Sequence, residues 1–184
     1  LLLKIVIEEG DEVSVREISF NNNSAFDDDD LKSEMDETSE ATWWKFWGGG
    51  KFDPKDYEKD KELIINFYKK NGYRDVEILS DSLIYSEDKQ DLKISMDMYE
   101  GPQYKIRNIK WEGNTVYPSF ALNERLDFAP GDVYDLEKFE QNLRGNEQQA
   151  DVSALYLDNG YLTFNLQTKE TKVGEDSIDV TIRI

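Results

Sequence analysis

The amino-acid sequence predicts an α+β protein made of two tandem β-α-α-β-β units, each with a three-stranded sheet that packs two helices on one face. Three observations predict this fold class. The sequence contains an internal repeat, its strands alternate apolar and polar residues, and its helices place apolar residues three and four positions apart. Each unit has about 85 to 90 residues, a size compatible with a small independent domain.

The internal repeat appears when the sequence from residue 1 is laid over the sequence from residue 92. LLLKIVIEEG then matches the alternation of LKISMDMYEG, and Asn23 falls on Asn114. A third copy of the same strand, SIDVTIRI, stands at residues 177–184. We therefore predict that residues 1–10 are the final strand of a preceding, truncated unit and that residues 11–101 and 102–184 are two complete units.

Capping and stop residues indicate where the helices begin and end. Asp27 is a predicted N-cap, and Asp53-Pro54 opens a second helix because proline is favoured in a first helical turn. Asn71-Gly72 and Asn159-Gly160 are typical of helix C-termini. Gly145-Asn146 predicts a break within the second helix of the second unit.

A further strand is predicted after each of the two Gly-Tyr pairs, at residues 74–79 and 161–166. Val76 and Ile78 alternate with polar residues in the first of these strands, and Leu162, Phe164 and Leu166 do so in the second. The polar segments SEDKQ and TKVGED are then predicted to turn the chain back into the strand that the units share.

The composition argues against several classes of function. A formal net charge of −18 argues against nucleic acid as a partner, because phosphate binding needs an excess of Lys and Arg. The sequence contains no Cys and no His, which removes thiol nucleophiles, disulfides and the zinc sites built on those residues. No run of residues approaches the roughly 18 apolar positions expected of a membrane-spanning helix.

The acidic residues do not form a recognisable catalytic or metal-binding pattern. The 40 acidic side chains could supply a carboxylate pair of the glycosidase type, but no such arrangement repeats or stands out. The run from Asp27 to Asp30 lacks the ligand spacing and the central glycine of an EF-hand loop. We therefore predict no enzyme activity, no metal site and no cofactor.

The ordered set of motifs resembles the polypeptide-transport-associated (POTRA) domain of the outer-membrane β-barrel assembly factor (BamA) family. The motifs occur twice and in the same order along nearly the whole chain. They are Ile18-Ser19-Phe20 with the corner Asn22-Asn23, Ile109-Lys110-Trp111 with the corner Gly113-Asn114, the helix exits YKKNGY at 68–73 and LYLDNGY at 155–161, and the Glu-Gly strand ends. The first unit departs from the family pattern by carrying Asn22 where the family usually has Gly.

The resemblance implies a periplasmic arm, on the periplasmic side of the bacterial outer membrane, that feeds a membrane barrel absent from this sequence. It implies unfolded outer-membrane proteins, accessory lipoproteins and the protein's own barrel as partners. It also implies a mixed sheet in which the final strand is central and the strand after Gly-Tyr lies at an edge. A related two-partner secretion transporter, an organellar import channel and a structural spacer remain alternatives.

An edge strand offers unpaired backbone groups to an extended peptide, and this predicts client binding by β-augmentation. We expect the second unit to present the more open edge, because Asp75 and Glu77 discourage pairing in the first. The residues predicted to bind clients are Arg74, Val76 and Ile78 in the first unit and Leu162, Thr163, Phe164 and Asn165 in the second. Hinge residues between units are predicted at Glu9, Gly10, Glu100, Gly101 and Pro102.

An aromatic cluster beside three glycines lies in the connection between the two helices of the first unit. Its members are Trp43, Trp44, Phe46 and Trp47. Three interpretations remain open: the cluster seals the end of the helix pair, docks a partner subunit or neighbouring domain, or dips into a membrane interface.

Overall fold

The computed structural model describes residues 12–41, 50–145 and 150–184. These residues form two compact units, one of residues 12–64 and Ile78–Tyr99 and the other of Ile65–Glu77 and Glu100–Ile184. The predicted strand at residues 1–10 and the aromatic cluster at 43–47 lie outside the described residues. The proposed division at residues 101 and 102 stays a prediction.

The first sheet contains three strands, β1 (Ser14–Asn21), β2 (Glu77–Tyr85) and β3 (Asp91–Tyr99), in the order β1-β3-β2. β1 runs parallel to β3, whereas β2 and β3 are joined by the short connection 86–90 and are therefore antiparallel. The helices that precede β2 are α1 (Asp28–Ser33) and α2 (Pro54–Lys70). The predicted mixed sheet and central final strand are confirmed.

The core of the first unit follows from the alternation of its strands. Leu92, Ile94, Met96 and Met98 of β3 all point to one face of the sheet and are buried there. Leu31 and Ile64 of the helices are equally buried. The predicted N-cap is confirmed, because the Asp27 carboxylate accepts a hydrogen bond from the Asp30 backbone N–H and completes a capping box.

The second sheet contains β4 (Lys105–Glu112), β5 (Gln167–Val173) and β6 (Ser177–Arg183), in the order β4-β6-β5. β4 and β6 are parallel, and β5 and β6 are antiparallel. Its helices are α3 (Ser119–Leu126), α4 (Leu136–Arg144) and α5 (Val152–Leu157). The predicted break is confirmed: Gly145 ends α4, and the Asp151 side chain caps α5.

The sharp corner after the first strand of each unit needs a positive φ, as the sequence predicts. Asn22 has a φ of 62° and Gly113 a φ of 81°. A Cβ atom at Gly113 would lie 2.3 Å from the Ile184 carbonyl oxygen, so this corner also requires the small volume of glycine. At Asn22 the side-chain amide donates to the Asp97 carboxylate at 2.6 Å.

Both predicted edge strands are displaced along the chain. The prediction of a strand at 161–166 is wrong, because these residues form one turn and irregular backbone, and β5 begins at Gln167. The physical reason is an aromatic cluster: Phe164 stacks on Tyr156 of α5 at 4.9 Å, and this contact keeps the chain against the helix end. In the first unit the strand begins at Glu77 rather than at residue 74 and continues to Tyr85.

Candidate functional site

β2 is an open edge of the first sheet. Among the residues described, β3 is the one strand that is hydrogen-bonded to β2. Large apolar side chains are nevertheless exposed along β2, including Leu79 at 58% and Ile84 at 60%, with Leu83 and Tyr85 also exposed. A long, apolar and unpaired edge is normally avoided because it recruits another strand, so this edge is a candidate binding site.

The two faces of β2 both carry apolar groups. Asp81 lies toward α2, because its carboxylate accepts a hydrogen bond from Lys61 Nζ at 3.1 Å. Strand alternation places Leu79 and Leu83 on the same side as Asp81, and Ile84 on the opposite side. An added strand would therefore meet apolar side chains above and below the plane of the sheet.

The polar centre of β2 is held ionised by the helix beside it. Burial alone would raise the pKa of Asp81, but the hydrogen bond and the positive charge of Lys61 lower it below its ordinary value. Lys61 Nζ also lies 5.0 Å from the centre of the Tyr57 ring. The centre of the edge thus keeps a fixed charge, and exposed apolar side chains lie on either side of it, at Leu79 and at Leu83.

β5 is the edge of the second sheet and has a different character. Its sequence, QTKETKV, contains two lysines and two threonines, and Val173 is its one apolar residue. Lysines on an edge strand oppose pairing with a foreign strand, because insertion would bury or crowd their charges. Among the described residues, the side chains of β2 therefore suit pairing better than those of β5, although the sequence favoured the second unit. Which edge binds clients stays a prediction.

β5 also takes part in a charge network inside the second unit, which includes residues 65–77. The guanidinium of Arg74 pairs with the Glu170 carboxylate, which also accepts a hydrogen bond from the Tyr134 hydroxyl at 2.7 Å. Arg74 was predicted to lie on an edge strand, but it precedes β2, and its role in client binding stays a prediction. The Arg74 side chain is engaged by Glu170.

The second half of the network centres on Asp75. The Asp75 carboxylate accepts hydrogen bonds from Lys172 Nζ at 2.5 Å and from the Tyr104 hydroxyl at 2.8 Å. Partial burial acts to raise the pKa of Asp75, but the hydrogen bonds from Lys172 and Tyr104 outweigh it and lower the pKa. Asp75 is thus a paired structural group that precedes β2.

The other predicted client-binding residues take varied positions. Val76 is buried just before β2, and Ile78 is a half-buried residue within it. Leu162 (77% exposed) and Thr163 are exposed in a turn, Asn165 is exposed in irregular backbone, and Phe164 is half-buried against Tyr156. These four residues therefore lie outside the edge strand.

The sequence predictions missed Leu79, Leu83, Ile84 and Tyr85 as exposed residues of the edge strand. The signal was present in the segment ILSDSLIY, which is rich in β-branched and apolar residues up to the polar turn SEDKQ. Nothing in that local pattern distinguishes an exposed apolar residue from a buried one.

The predicted hinge residues fall at two places. Glu9 and Gly10 lie outside the described residues. Gly101 has a φ of 67°, which a residue with a Cβ atom adopts at a cost, and Pro102 follows it. The Glu100 carboxylate accepts a hydrogen bond from the Tyr68 hydroxyl at 3.0 Å. A hinge at Glu100, Gly101 and Pro102 stays a prediction.

The described part of the chain has neither a metal-binding cluster nor a membrane-spanning helix. It contains no group of three or more Asp and Glu side chains arranged to hold a metal ion. None of its helices combines the length and the apolar character needed to cross a bilayer.

The duplicated α+β unit, in which helices accompany a three-stranded mixed sheet, defines a class of repeat protein. The family model described as "POTRA: Surface antigen variable number repeat" matches the chain twice, at residues 13–101 and 104–184. These matches cover most of the sequence, and the chain belongs to the POTRA family.

Two similar proteins carry the same name. The chain is 28% identical over 171 residues to "Outer membrane protein assembly factor BamA" of Neisseria meningitidis serogroup B, a match that covers 92% of this chain and 21% of that protein. It is 26% identical over 138 residues to the protein of the same name from Buchnera aphidicola, with 75% and 22% of the two chains covered. The chain thus spans about a fifth of the length of the curated relatives it matches.

Solved structures show the same fold. A crystal structure of Haemophilus influenzae BamA POTRA domains 3–5 aligns with a TM-score of 0.70 at 20% identity, covering 98% of this chain and 68% of that one. BamA from Haemophilus ducreyi lacking POTRA domains 1–3 aligns with a TM-score of 0.60 at 17% identity, covering 94% and 29%.

Proposed function

We propose that this chain is part of the periplasmic arm of an outer-membrane β-barrel assembly factor, on the periplasmic side of the bacterial outer membrane. Two matches to the POTRA family and two relatives named BamA support this proposal. In this role the arm receives unfolded outer-membrane proteins, docks accessory lipoproteins and passes clients to a membrane barrel. The role is one of binding, without catalysis or a cofactor.

The observation that carries the proposal is the open, apolar edge of β2. An extended client segment would add to β2 through backbone hydrogen bonds, which do not depend on the client's sequence. Leu79, Leu83 and Ile84 would then favour clients with apolar side chains near both ends of the added strand. This combination suits many clients, because the backbone supplies most of the contact and the side chains add a mild preference.

The test measures binding of a peptide that copies one membrane-spanning strand of an outer-membrane barrel protein. Hydrogen exchange should show new protection of the amides in β2 when the peptide binds, because augmentation pairs those groups with a new strand. The amides of β5 should show no new protection. The double substitution Leu79→Lys with Ile84→Lys should weaken binding about tenfold or more, because it places two charges on the edge.

The matched control is Thr171→Lys, which adds an exposed lysine to the other sheet edge. This variant should bind the peptide as the unchanged protein does. Peptide binding that protects no amide of β2 would contradict augmentation. A chain that binds no barrel-strand peptide at all would behave as a structural spacer.

A further inference from the structure

The side of the second sheet that faces away from the helices, which we call the outer face, carries an unusual charge. Ile178, Val180 and Ile182 of β6 are buried on the helix side. The residues between them, Asp179 and Thr181, therefore point to the outer face. Strand register then gives the neighbours of these residues on β4 and β5.

Two rows of side chains cross the outer face. Glu112 of β4 lies beside Arg183 of β6, which lies beside Gln167 of β5. In the next row, Lys110, Thr181 and Lys169 are neighbours. Polar and positively charged groups thus occupy adjacent positions on all three strands.

Positive charge exceeds negative charge on this face. Five cations, Lys105, Arg107, Lys110, Lys169 and Arg183, stand against two carboxylates, Asp179 and Glu112. Arg107 pairs with Asp179, and Lys110 and Arg183 share Glu112. The Lys169 side chain is exposed and has no hydrogen-bond or ion-pair partner among the described residues. The excess is notable in a chain with a formal net charge of −18.

A groove of about 300 Å³ opens on this face between β4, β5 and β6. The residues that line it are Glu112, Gln167, Thr168, Lys169, Thr181 and Arg183. Lysine, arginine, glutamine and threonine side chains can all donate hydrogen bonds. Glu112 stays ionised in the groove, because the hydrogen bond from Lys110 lowers its pKa, but three neighbouring cations outnumber it.

The corresponding face of the first sheet has the opposite charge. There Arg16 and Lys93 stand against Glu17, Asp91 and Asp97. Lys93 pairs with Glu17, and Arg16 pairs with Asp91, which leaves Asp97 in excess. The positive outer face is therefore a property of the second unit and not of the shared fold.

We propose that the outer face of the second sheet binds an acidic polypeptide segment, with one of its carboxylates held between Lys169 and Arg183. Charge complementarity supports this occupant, because the face offers cations and neutral donors but little apolar surface. In an extended chain, side chains on one side recur about every 6.6 Å, a spacing that lets successive acidic residues meet successive rows of the face. The site uses side chains of a sheet face and does not depend on pairing at the β2 edge.

The test uses the chain with an extended peptide that alternates Glu and Thr, and the same peptide with Lys in place of Glu. Fluorescence anisotropy should show binding of the acidic peptide and none of the basic peptide. Lys169→Glu should weaken binding of the acidic peptide about tenfold, because it replaces an attraction with a repulsion of similar size. Lys169→Arg should retain binding, and moderate salt should weaken it.

The matched control is Lys93→Glu on the outer face of the first sheet. It makes the same change in net charge, so a general electrostatic effect would lower binding equally in both variants. Equal losses in the two variants would overturn the proposal. The proposal would also be overturned if the chain bound vesicles of phosphatidylglycerol through Lys169 but did not bind the peptide. A change in sedimentation showing that the face joins two copies of this chain would overturn it as well.

Discussion

Asp60 of α2 is a fully buried carboxylate with a defined structural task. It accepts hydrogen bonds from the backbone N–H groups of Asp36, Glu37 and Thr38, at 2.9, 3.2 and 2.6 Å. These three donors lie in the segment after α1, where no helix or strand pairs them. One side chain thereby fixes the start of the connection between the two helices.

We expect Asp60→Ala to lower the free energy of unfolding by about 3 kcal/mol, because it removes the acceptor for three backbone donors. Urea denaturation measures the change. Glu62→Ala, at an exposed position of the same helix, is the control and should change stability by less than about 0.5 kcal/mol. Equal effects of the two substitutions would show that the buried carboxylate does not hold the connection.

Gly113 combines a positive φ with a lack of space. We expect Gly113→Ala to destabilise the second unit by more than Gly160→Ala does. Gly160 also has a positive φ, of 87°, but no atom lies within 4 Å of a Cβ atom added there. Gly160→Ala should lower the free energy of unfolding by about 1–2 kcal/mol, which is the conformational strain alone. Thermal unfolding of both variants measures the difference, and equal costs would mean that the Ile184 carbonyl moves freely aside.

At the scale of secondary-structure elements, the two edge strands differ although they occupy equivalent places in the repeat. β2 carries exposed Leu79 and Ile84, whereas β5 carries Lys169 and Lys172. The difference lies in side chains, because both strands present unpaired backbone groups within the described structure. The two units therefore share the backbone arrangement of the edge strand but differ in the side chains that the strand carries.

The ion pair between Asp75 and Lys172 predicts how acid affects β5. The folded-state pKa of Asp75 is lowered below its ordinary value of 3.8, so its contribution to stability is complete above that value. The contribution is lost as the pH falls through the lowered folded-state pKa. The unfolding free energy of the unchanged chain should therefore fall more steeply between about pH 5 and pH 2 than that of Asp75→Asn.

Denaturation by urea at a series of pH values checks this prediction. Glu87→Gln, at an exposed site in the loop between β2 and β3, serves as a control for the loss of one carboxylate. Parallel pH profiles for the unchanged chain and Asp75→Asn would show that the Asp75 carboxylate adds nothing to folding.

At the scale of the whole molecule, net charge opposes compactness. A formal charge of −18 produces repulsion that extends over the whole surface, whereas individual exposed ion pairs contribute little. We therefore expect added NaCl, to about 0.5 M, to raise the midpoint of thermal unfolding by screening that repulsion. Calorimetry in NaCl measures the effect, and a lower midpoint would show that the ion pairs outweigh the net charge.

The sequence was sufficient for features that depend on neighbouring residues. The duplicated unit, the cap at Asp27, the helix break at Gly145 and the corners at Asn22 and Gly113 all follow from local backbone chemistry or from alternation with a period of two. The mixed sheet with a central final strand was implied by family resemblance. These predictions hold because each depends on a few residues in sequence.

Tertiary structure decided where the edge strands begin and which side chains they expose. The start of β5 depends on the contact of Phe164 with Tyr156, and the engagement of Arg74 depends on Glu170, 96 positions away. Local alternation cannot anticipate contacts between distant segments. For the same reason, the sequence identified a strand near Ile78 but could not show that its apolar side chains remain exposed.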